Sequence, residues 1–433
     1  MKALSRPKGT QDWVAERARE LSFVERTVAD VFERYSYQPI RLPMMESVEL
    51  FQRGVGEATD IVEKEMFLLE SRGGEDRATL ALRPEGTAST VRALEQEGLL
   101  YNQQQRVYYA GSMFRYEQPQ KGRYREFYQI GAEAFGFAGP DLDAELLLMI
   151  RDSWRALGID EFIELELNTI GSAEDRARFG AALKAYLLPF ADELDEDSQR
   201  RLERNPLRIL DSKAPRTRDL LADAPRLEEY INDEARAHFD GLVELLEGMG
   251  QPFRCNSSLV RGLDYYNNTV FEWVTDQLGA QSAVCAGGRY DALVARLGGK
   301  PTPAAGFGLG MDRAVLLREQ ATTGNGALPG PGLPVDVYLC LPRGAEQRWV
   351  MQLAGELRAA LPTLKLRLHQ GGGKLDKQLK RADQSGALLA LIAGPQEIEA
   401  NAVALKPLRG NGEARTVPRP ELAAAVATVL EHS

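Results

Sequence analysis

The chain has 433 residues, of which 44% are apolar and 27% charged, and its formal net charge is −10. Because domains usually span ~100–200 residues, this length predicts two to four globular domains, and the composition excludes disordered and fibrous chains. Three isolated cysteines (Cys255, Cys285 and Cys340) and three scattered histidines exclude a zinc ribbon, a disulfide framework and a His-based triad with a nearby partner.

Neither a membrane span nor a secretion signal is predicted. No apolar run approaches the ~18 residues that a spanning helix needs, and residues 1–13 lack the apolar core of a signal peptide. We therefore expect a cytoplasmic protein with reduced cysteines. Residues 335–433 hold 13 Lys and Arg against 10 Asp and Glu, whereas the preceding residues hold 40 against 53. A mildly basic tail is compatible with RNA contact, although surface charge also serves solubility, which is the favoured interpretation on charge alone.

Apolar spacing predicts two helices in the first part of the chain, at residues 16–34 and 141–157. The second begins with acidic residues, which suit the positive end of a helix dipole. A metal cluster would need similar residues, but helix-start acids are the favoured interpretation for Asp141, Asp143 and Glu145.

Two hairpins are also predicted, with strands at residues 65–69 and 78–82 and at residues 107–117 and 126–136. The second hairpin has a long basic loop with aromatic neighbours. Guanidinium groups suit phosphate oxygens and aromatic rings stack on bases, so this loop is equally compatible with a polyphosphate site and with a solvated hairpin tip. Its cations are Arg115, Lys121, Arg123 and Arg125.

Composition divides the chain into five segments. Residues 1–170 and 251–322 carry strand and helix signals and predict one α+β body, with further strands at 272–274 and 283–286. Residues 171–250 are charged and helical, which predicts an inserted helical subdomain. Residues 323–334 form a Gly/Pro linker, and residues 335–433 alternate strands with helices, which predicts a small α/β domain. The elements expected there are strands at 335–341, 364–368 and 388–393 and helices at 346–361, 374–385 and 420–430.

Two glycine-rich stretches do not match phosphate loops. Residues 371–374 lack the Ser or Thr and the upstream glycine of a P-loop, and residues 306–310 lack the third glycine of the dinucleotide fingerprint. We interpret the second stretch as a turn before an apolar helix at 314–317. Arg313 then stands at a helix start, where the dipole disfavours a cation, so it is either a ligand for a phosphate or a base, or an ordinary exposed arginine.

These motifs together resemble the histidyl-tRNA synthetase family. Pro43 matches the motif 1 proline of class II aminoacyl-tRNA synthetases, Arg115-Tyr116-Glu117 matches motif 2, and residues 308–313 match motif 3. The blocks that narrow the resemblance to this family are Leu82-Arg83-Pro84-Glu85-Gly86-Thr87, Lys121-Gly122-Arg123-Tyr124-Arg125, Arg261-Gly262-Leu263-Asp264-Tyr265-Tyr266 and Cys285-Ala286-Gly287-Gly288-Arg289-Tyr290-Asp291. The resemblance covers nearly the whole chain.

The resemblance implies an α+β fold: a class II antiparallel sheet with helices, a helical insertion and a C-terminal α/β anticodon-binding domain. It implies a homodimer joined through motif 1. The reaction that it implies joins histidine and ATP, assisted by Mg²⁺ with ligands that the sequence leaves unknown, into histidyl-adenylate and pyrophosphate. The histidyl group then passes to the 3′ end of tRNA(His).

The resemblance also assigns histidine-binding residues. Glu85, Thr87 and Gln129 fall where the family holds the α-ammonium group, for which an acid and two neutral acceptors are suitable. Glu133 and Tyr266 fall where the imidazole is read. Tyr265 and Tyr290 would line the same pocket, and Arg115 falls between the α-carboxylate and the α-phosphate. Each of these residues taken alone is more often structural; their matched spacings favour the functional interpretation.

The remaining assignments concern catalysis, ATP and tRNA. Arg261 matches the family's catalytic arginine, which with Arg115 stabilises charge on the α-phosphate. The ATP-binding residues that the resemblance implies are Arg115, Glu117, Arg123, Phe127 and Arg313, with Phe127 and Arg313 on the two faces of adenine. Arg125 and Gln118 lie in the loop that meets the tRNA acceptor end; bacterial members usually have Arg at position 118, so this chain departs from the family there.

An alternative function belongs to a different class. A catalytically silent paralogue of the family binds histidine as a regulatory subunit in histidine biosynthesis, and it lacks the tail domain and several ATP-linked residues. This chain retains Arg123, Arg261, Arg313 and a tail of ~100 residues, so the sequence favours the enzyme. A pure RNA-binding module is less favoured still.

Overall fold

The structure is a computed structural model that describes residues 4–56, 59–69, 80–260, 262–279, 283–321, 328–409 and 412–431. The chain divides into two compact units, Met1–Gly330 and Pro331–Ser433. None of the helices in these described ranges is long and apolar enough to cross a membrane.

The first unit is built on a large, mostly antiparallel sheet. Its strands are β1 (Gln38–Pro39), β2 (Met45–Ser47), β3 (Phe67–Leu69), β4 (Leu80–Leu82), β5 (Gln105–Phe114), β6 (Glu126–Phe135), β7 (Glu164–Thr169), β8 (Arg254–Cys255), β9 (Asn267–Val274), β10 (Ala283–Arg289) and β11 (Ala304–Gly310). Eight of them pair in the order β1-β5-β6-β11-β10-β9-β7-β8, and β2, β4 and β3 form a small separate sheet. Only the edge pairs β1–β5 and β7–β8 of the large sheet are parallel.

Helices cover this sheet and supply its core. They are α1 (Ala15–Arg34), α2 (Val48–Val55), α3 (Thr87–Gln96), α4 (Pro140–Leu157), α5 (Ala173–Leu187), α6 (Glu196–Arg204), α7 (Pro215–Leu221), α8 (Asp233–Gly248), α9 (Leu293–Arg296) and α10 (Met311–Ala321). The apolar stripes of α1 and α4 pack together against the sheet, with Val28, Phe32 and Trp154 fully buried. Helices α5 to α8 occupy the region between β7 and β8, where α5 starts with a capping box of Ser172 and Asp175.

The second unit has helices on both faces of a five-stranded sheet. Its elements are β12 (Val337–Cys340), α11 (Gln347–Ala360), β13 (Leu366–Leu368), α12 (Leu375–Gln384), β14 (Leu389–Ile392), α13 (Pro395–Glu399), β15 (Ala402–Pro407), β16 (Arg415–Pro418) and α14 (Leu422–Glu431). Along β12, Val337 and Leu339 face the core shared with α11 and α14, whereas Tyr338 and Cys340 face α12. The strand order is β13-β12-β14-β15-β16, of which the first three are parallel.

The predicted α+β class with a C-terminal α/β domain is confirmed. One element was wrong: the glycine-rich residues 306–310 belong to strand β11 and do not form a turn. Among the elements that the sequence analysis did not predict are α13, β15 and β16 in the second unit and α2, α3 and β7 in the first. The turn expected between the strands at 65–69 and 78–82 lies outside the described residues, as do residues 323–327 of the expected linker; residues 328–334 have neither helix nor strand.

Candidate active site

A cavity of about 300 Å³ lies on the large sheet, over strands β5, β6, β9, β10 and β11, next to the β5–β6 loop. Ten of the residues singled out in the sequence line it: Glu85, Thr87, Arg115, Glu117, Arg123, Phe127, Gln129, Tyr265, Tyr266 and Arg313. The predicted site residues therefore come from five separate segments of the chain and meet at one place.

The other candidates lie elsewhere. Glu133 and Tyr290 are buried and are not among the lining residues. Gln118 is exposed, and Arg125 lies over the ring of Tyr116 with its guanidinium carbon 3.7 Å from the ring centroid. Arg261 lies outside the residues that the structure describes.

At one end of the cavity, Glu85 lies at the start of α3. Its carboxylate oxygens accept from the backbone N–H groups of Thr87, at 2.6 Å, and Ala88, at 3.0 Å. These are two of the N–H groups that a helix leaves without partners in its first turn. Burial raises the pKa of Glu85, and those two hydrogen bonds act against this rise. A cationic ligand group beside Glu85 would favour the ionised carboxylate further.

Glu133 lies behind this end, on β6. The Thr87 hydroxyl donates to Glu133 Oε1 at 2.6 Å and the Tyr290 hydroxyl donates to Oε2. Burial raises the pKa of Glu133 to about 8. Gly306 on β11 faces Glu133, and a Cβ atom at that glycine would overlap Glu133 Oε2. A glycine is therefore required for this carboxyl group to fit.

A buried group of tyrosines forms the adjacent wall. The ring of Tyr265 lies 4.6 Å from that of Tyr266 and 5.5 Å from that of Tyr290. Burial raises the pKa of Tyr265 and of Tyr290 well above the ordinary value, so both stay neutral hydroxyls. Arg289, the residue before Tyr290, ends β10, and its guanidinium pairs with the buried carboxylate of Asp143. This ion pair fixes the end of β10.

Gln129 on β6 offers an unused acceptor to the cavity. Its Oε1 atom is buried and has no hydrogen-bond partner, although the residue lines the cavity. Gly308 faces it, and a Cβ atom there would overlap Gln129 Nε2. Because buried polar atoms are nearly always paired, this oxygen indicates a donor from a ligand or water.

The opposite end of the cavity is cationic. Arg115 donates to the carbonyl of Pro84 at 2.9 Å and its guanidinium carbon lies 5.3 Å from the centroid of the Phe127 ring. Arg313 donates to the carbonyl of Gly122 at 3.0 Å. Burial, together with the charges of Arg115 and Arg123, lowers the pKa of Arg313 to about 10. An anionic ligand here would relieve the repulsion among these three cations.

Sequence reasoning assigned no site role to five lining residues with polar or reactive side chains: Tyr109, Tyr124, Glu272, Cys285 and Asp312. The sequence signal for Tyr109 was indirect. Its ring occupies the space next to Gly86 and Gly131, where a Cβ atom would overlap it. Asp312 had a sequence signal too, as the acid next to Arg313 in motif 3. It accepts from Tyr128 N–H at 2.5 Å and Gln11 Nε2 at 2.8 Å, and burial raises its pKa to about 6.

Comparisons with known proteins identify the family of the chain. A family model of histidyl-tRNA synthetases matches residues 9–314, and a model of the anticodon binding domain matches residues 338–428. The crystal structure of apo histidyl-tRNA synthetase from S. aureus is 30% identical, covers 98% of this chain and 100% of its own, and has a TM-score of 0.79.

Two further structures share the fold. The histidyl-tRNA synthetase of a Nostoc species is 20% identical over 99% of this chain and 100% of its own, with a TM-score of 0.70. A Bacillus halodurans protein, titled as an ATP phosphoribosyltransferase regulatory subunit/histidyl-tRNA synthetase, is 21% identical over 91% of this chain and 99% of its own, with a TM-score of 0.64. With its motifs, its cavity and a family model that matches most of its length, the chain belongs to the histidyl-tRNA synthetase family.

Proposed function

We propose that this protein is a histidine–tRNA ligase, which activates histidine with ATP and transfers it to the 3′ end of tRNA(His). The observation that carries the proposal is the polarity of the cavity, where Glu85, Gln129 and the tyrosines lie at one end and three arginines at the other. Carboxylates accompany the arginines, since Glu117 pairs with Arg123 and Glu272 lies near enough to Arg313 to affect its pKa. An amino acid fits the first end and a polyphosphate the second, with the reacting carboxylate and α-phosphate between them.

Histidine would bind at the first end. Glu85, Thr87 and the unpartnered Gln129 Oε1 receive its α-ammonium group. Glu133 and Tyr266 read its imidazole. Both Glu133 oxygens already accept from hydroxyls, and because each carboxylate oxygen has two lone pairs, either one can also accept from a ring N–H. Tyr265 forms part of the pocket wall, and the buried Tyr290 packs against it.

ATP would bind at the arginine end. Arg115 lies between the α-carboxylate and the α-phosphate, and Arg123 and Arg313 hold the outer phosphates; Phe127 and Arg313 enclose adenine. A carboxylate oxygen of histidine attacks the α-phosphorus in line and pyrophosphate leaves. Arg261 is proposed to stabilise the charge that develops there.

The acidic groups near the arginines fit a Mg²⁺ ion brought by ATP. Mg²⁺ is usually held by one or two carboxylates together with substrate phosphates and water, and Glu117 and Glu272 are such carboxylates in the cavity wall. In the described part of the chain, no three His, Cys, Asp or Glu residues group as a self-contained metal site. Bound there, Mg²⁺ would neutralise phosphate charge.

Further proposals concern tRNA and assembly. The exposed Gln118 and the half-buried Arg125 would meet the acceptor end, and residues 335–433 the anticodon. Residues 171–250 are proposed as the helical insertion between the catalytic segments 1–170 and 251–322, with 323–334 as the linker. We also propose that the protein forms a homodimer through motif 1 and is located in the cytoplasm.

The similarity to the Bacillus halodurans protein supports one alternative function, that of a histidine-binding regulatory subunit without catalysis. Arg115, Arg123 and Arg313 in the cavity wall favour the enzyme, whereas the second unit does not separate the two functions, because the Bacillus halodurans structure covers 91% of this chain. Single-turnover formation of labelled histidyl-adenylate separates the two, with histidine affinity measured by calorimetry. We expect adenylate from the wild-type protein and, for Arg261→Ala, a rate lower by ~10²–10³ with a much smaller change in affinity. Histidine binding without adenylate would establish the regulatory function instead.

A further inference from the structure

Residues 262–264 connect two parts of the proposed site. Arg261 precedes them in the sequence, and Tyr265 and Tyr266 follow them in the cavity wall. Leu263 itself lines the cavity. Contacts that hold this short segment therefore determine the position of Leu263, Tyr265 and Tyr266 relative to the arginines across the cavity.

Two residues of the helical region between β7 and β8 hold the segment from one side. Arg208 Nη1 donates to the carbonyl oxygen of Gly262 at 3.3 Å. Asn205 Nδ2 donates to Asp264 Oδ1 at 3.1 Å. Asn205 terminates α6, and Arg208 lies in the 3-10 turn that follows, Pro206–Asp211.

The opposite side of the segment is held by the catalytic body. The backbone N–H of Asp264 donates to the carbonyl of Val55 at 3.1 Å, and Arg296 Nη1 donates to the carbonyl of Asp264 at 3.3 Å. Gly56 has a φ of +104°, and a Cβ atom there would lie 2.7 Å from Asp264 Oδ2. The segment is thus held between the end of α2 and the 3-10 turn, which together clamp it. If the contacts with the 3-10 turn are removed, the segment is free to move toward that turn.

Arg208 is itself fixed in place. Its Nη2 atom lies 3.3 Å from Asp60 Oδ2, which also accepts from Arg201 Nη2 at 3.1 Å. Arg201 Nη1 donates to the backbone carbonyl of Arg208 at 3.3 Å, and the Arg208 side chain is only 16% exposed. The planar guanidinium fork therefore joins a carbonyl of the cavity segment to a carboxylate outside it, which a lysine could not do with the same geometry.

We propose that Arg208 and Asn205 are positioning residues for histidine activation, through which the helical insertion holds the segment between Arg261 and the Tyr265–Tyr266 wall. This inference rests on the proposed function. The two tyrosine rings also pack on Tyr290, so histidine binding depends less on the clamp than adenylate formation does, in which Arg261, the sequence neighbour of Gly262, is proposed to act. A displacement of ~1 Å in a group that acts in the transition state can lower a rate by ~10²-fold.

The test is histidine-dependent ATP–pyrophosphate exchange by the full chain, with kcat and KM measured separately. We expect Arg208→Ala to lower kcat by ~10-fold or more while the KM for histidine changes far less, Asn205→Ala to act in the same direction, and Arg208→Lys to recover part of the loss. Arg204→Ala is the matched control, because Arg204 is on α6, is 68% exposed and pairs with Glu63 at 2.8 Å. Its kcat should equal that of the wild type.

Equal kcat values for Arg208→Ala and Arg204→Ala would overturn the inference, whether both match the wild type or both are lower. A rise in the KM for histidine with an unchanged kcat would overturn it as well. If Arg208→Ala does not fold, Asn205→Ala decides by the same criteria. Absence of exchange by the wild type would refute the proposed function instead. Hydrogen exchange of residues 262–266 then tests the clamp alone, and unchanged protection in Arg208→Ala relative to Arg204→Ala would contradict it.

Discussion

Glu133 illustrates how the fold sets the protonation state of a single site residue. Its carboxyl group is fully buried, and burial raises its pKa from 4.5 to about 8. Between these two pH values the folded protein keeps a proton that the unfolded chain has released. The contribution of this group to stability is therefore complete below the lower pKa and is lost as the pH rises through about 8.

Replacing Glu133 by Gln tests this linkage. An amide has nearly the same shape and does not ionise, so we expect the wild type to lose stability relative to Glu133→Gln as the pH rises from about 5 to 8. One pKa unit corresponds to roughly 1.4 kcal/mol, so the relative loss should amount to a few kcal/mol. Thermal unfolding across this pH range measures it, with Glu126→Gln on the same strand as the control. Parallel pH profiles for wild type and Glu133→Gln would show that the group ionises normally in the fold.

At the scale of single elements, strand β11 shows which sequence signal was misinterpreted. Gly306, Gly308 and Gly310 recur with a period of two, which places them on one face of a strand. Glycine content alone predicts a turn here, because glycine is common in turns. In β11 the first two glycines make room for the site side chains of Glu133 and Gln129. Glycine within a strand often marks such a close approach.

The Gly308→Ala variant tests that role. A Cβ atom there must displace the Gln129 amide, so the histidine α-ammonium loses an acceptor while the ATP end is unchanged. We expect the KM for histidine to rise by ~10-fold or more, since a hydrogen bond to a charged group contributes ~1.5–3 kcal/mol, and the KM for ATP to change little. Gly310→Ala is the control, because the nearest atom to its Cβ would be Val284 O at 3.6 Å. Equal effects of the two substitutions on the KM for histidine would contradict this account.

Other elements were predictable to within a few residues where the pattern was long. Helix α4 and the β5–β6 hairpin show clear periodicity and lie close to the predicted ranges. Strands β15 and β16 were missed because both end in proline, and β15 contains alanine and lysine, which are uncommon in strands.

At the scale of the whole molecule, the cavity belongs to the first unit. Strand β6 pairs with β11, more than 160 residues later in the chain, so Gln129 comes to face Gly308 only through long-range pairing. Local patterns cannot predict such neighbours; the motif resemblance supplied most of the site residues, and it left out Tyr109 and Glu272. The described lining residues all precede residue 330.

A fragment of residues 1–330 should therefore separate the two steps of the proposed reaction. We expect it to retain histidine-dependent pyrophosphate exchange and to charge tRNA(His) poorly, because the region matching the anticodon-binding domain, residues 338–428, is absent. Steady-state charging with varied tRNA(His) measures this. An unchanged KM for tRNA(His) would show that the second unit does not contribute to binding the tRNA.

Exchange of pyrophosphate into ATP, measured separately with each standard amino acid, tests most directly the claim that this cavity activates histidine. Glu133 and Tyr266 together are proposed to read two ring nitrogens, which glutamine and asparagine do not have. Pockets that hydrogen-bond their substrate reject analogues without the group by ~10⁴-fold or more. We predict exchange with histidine and rates lower by about this factor with every other amino acid. Comparable exchange with glutamine or asparagine, or none with histidine, would contradict the account.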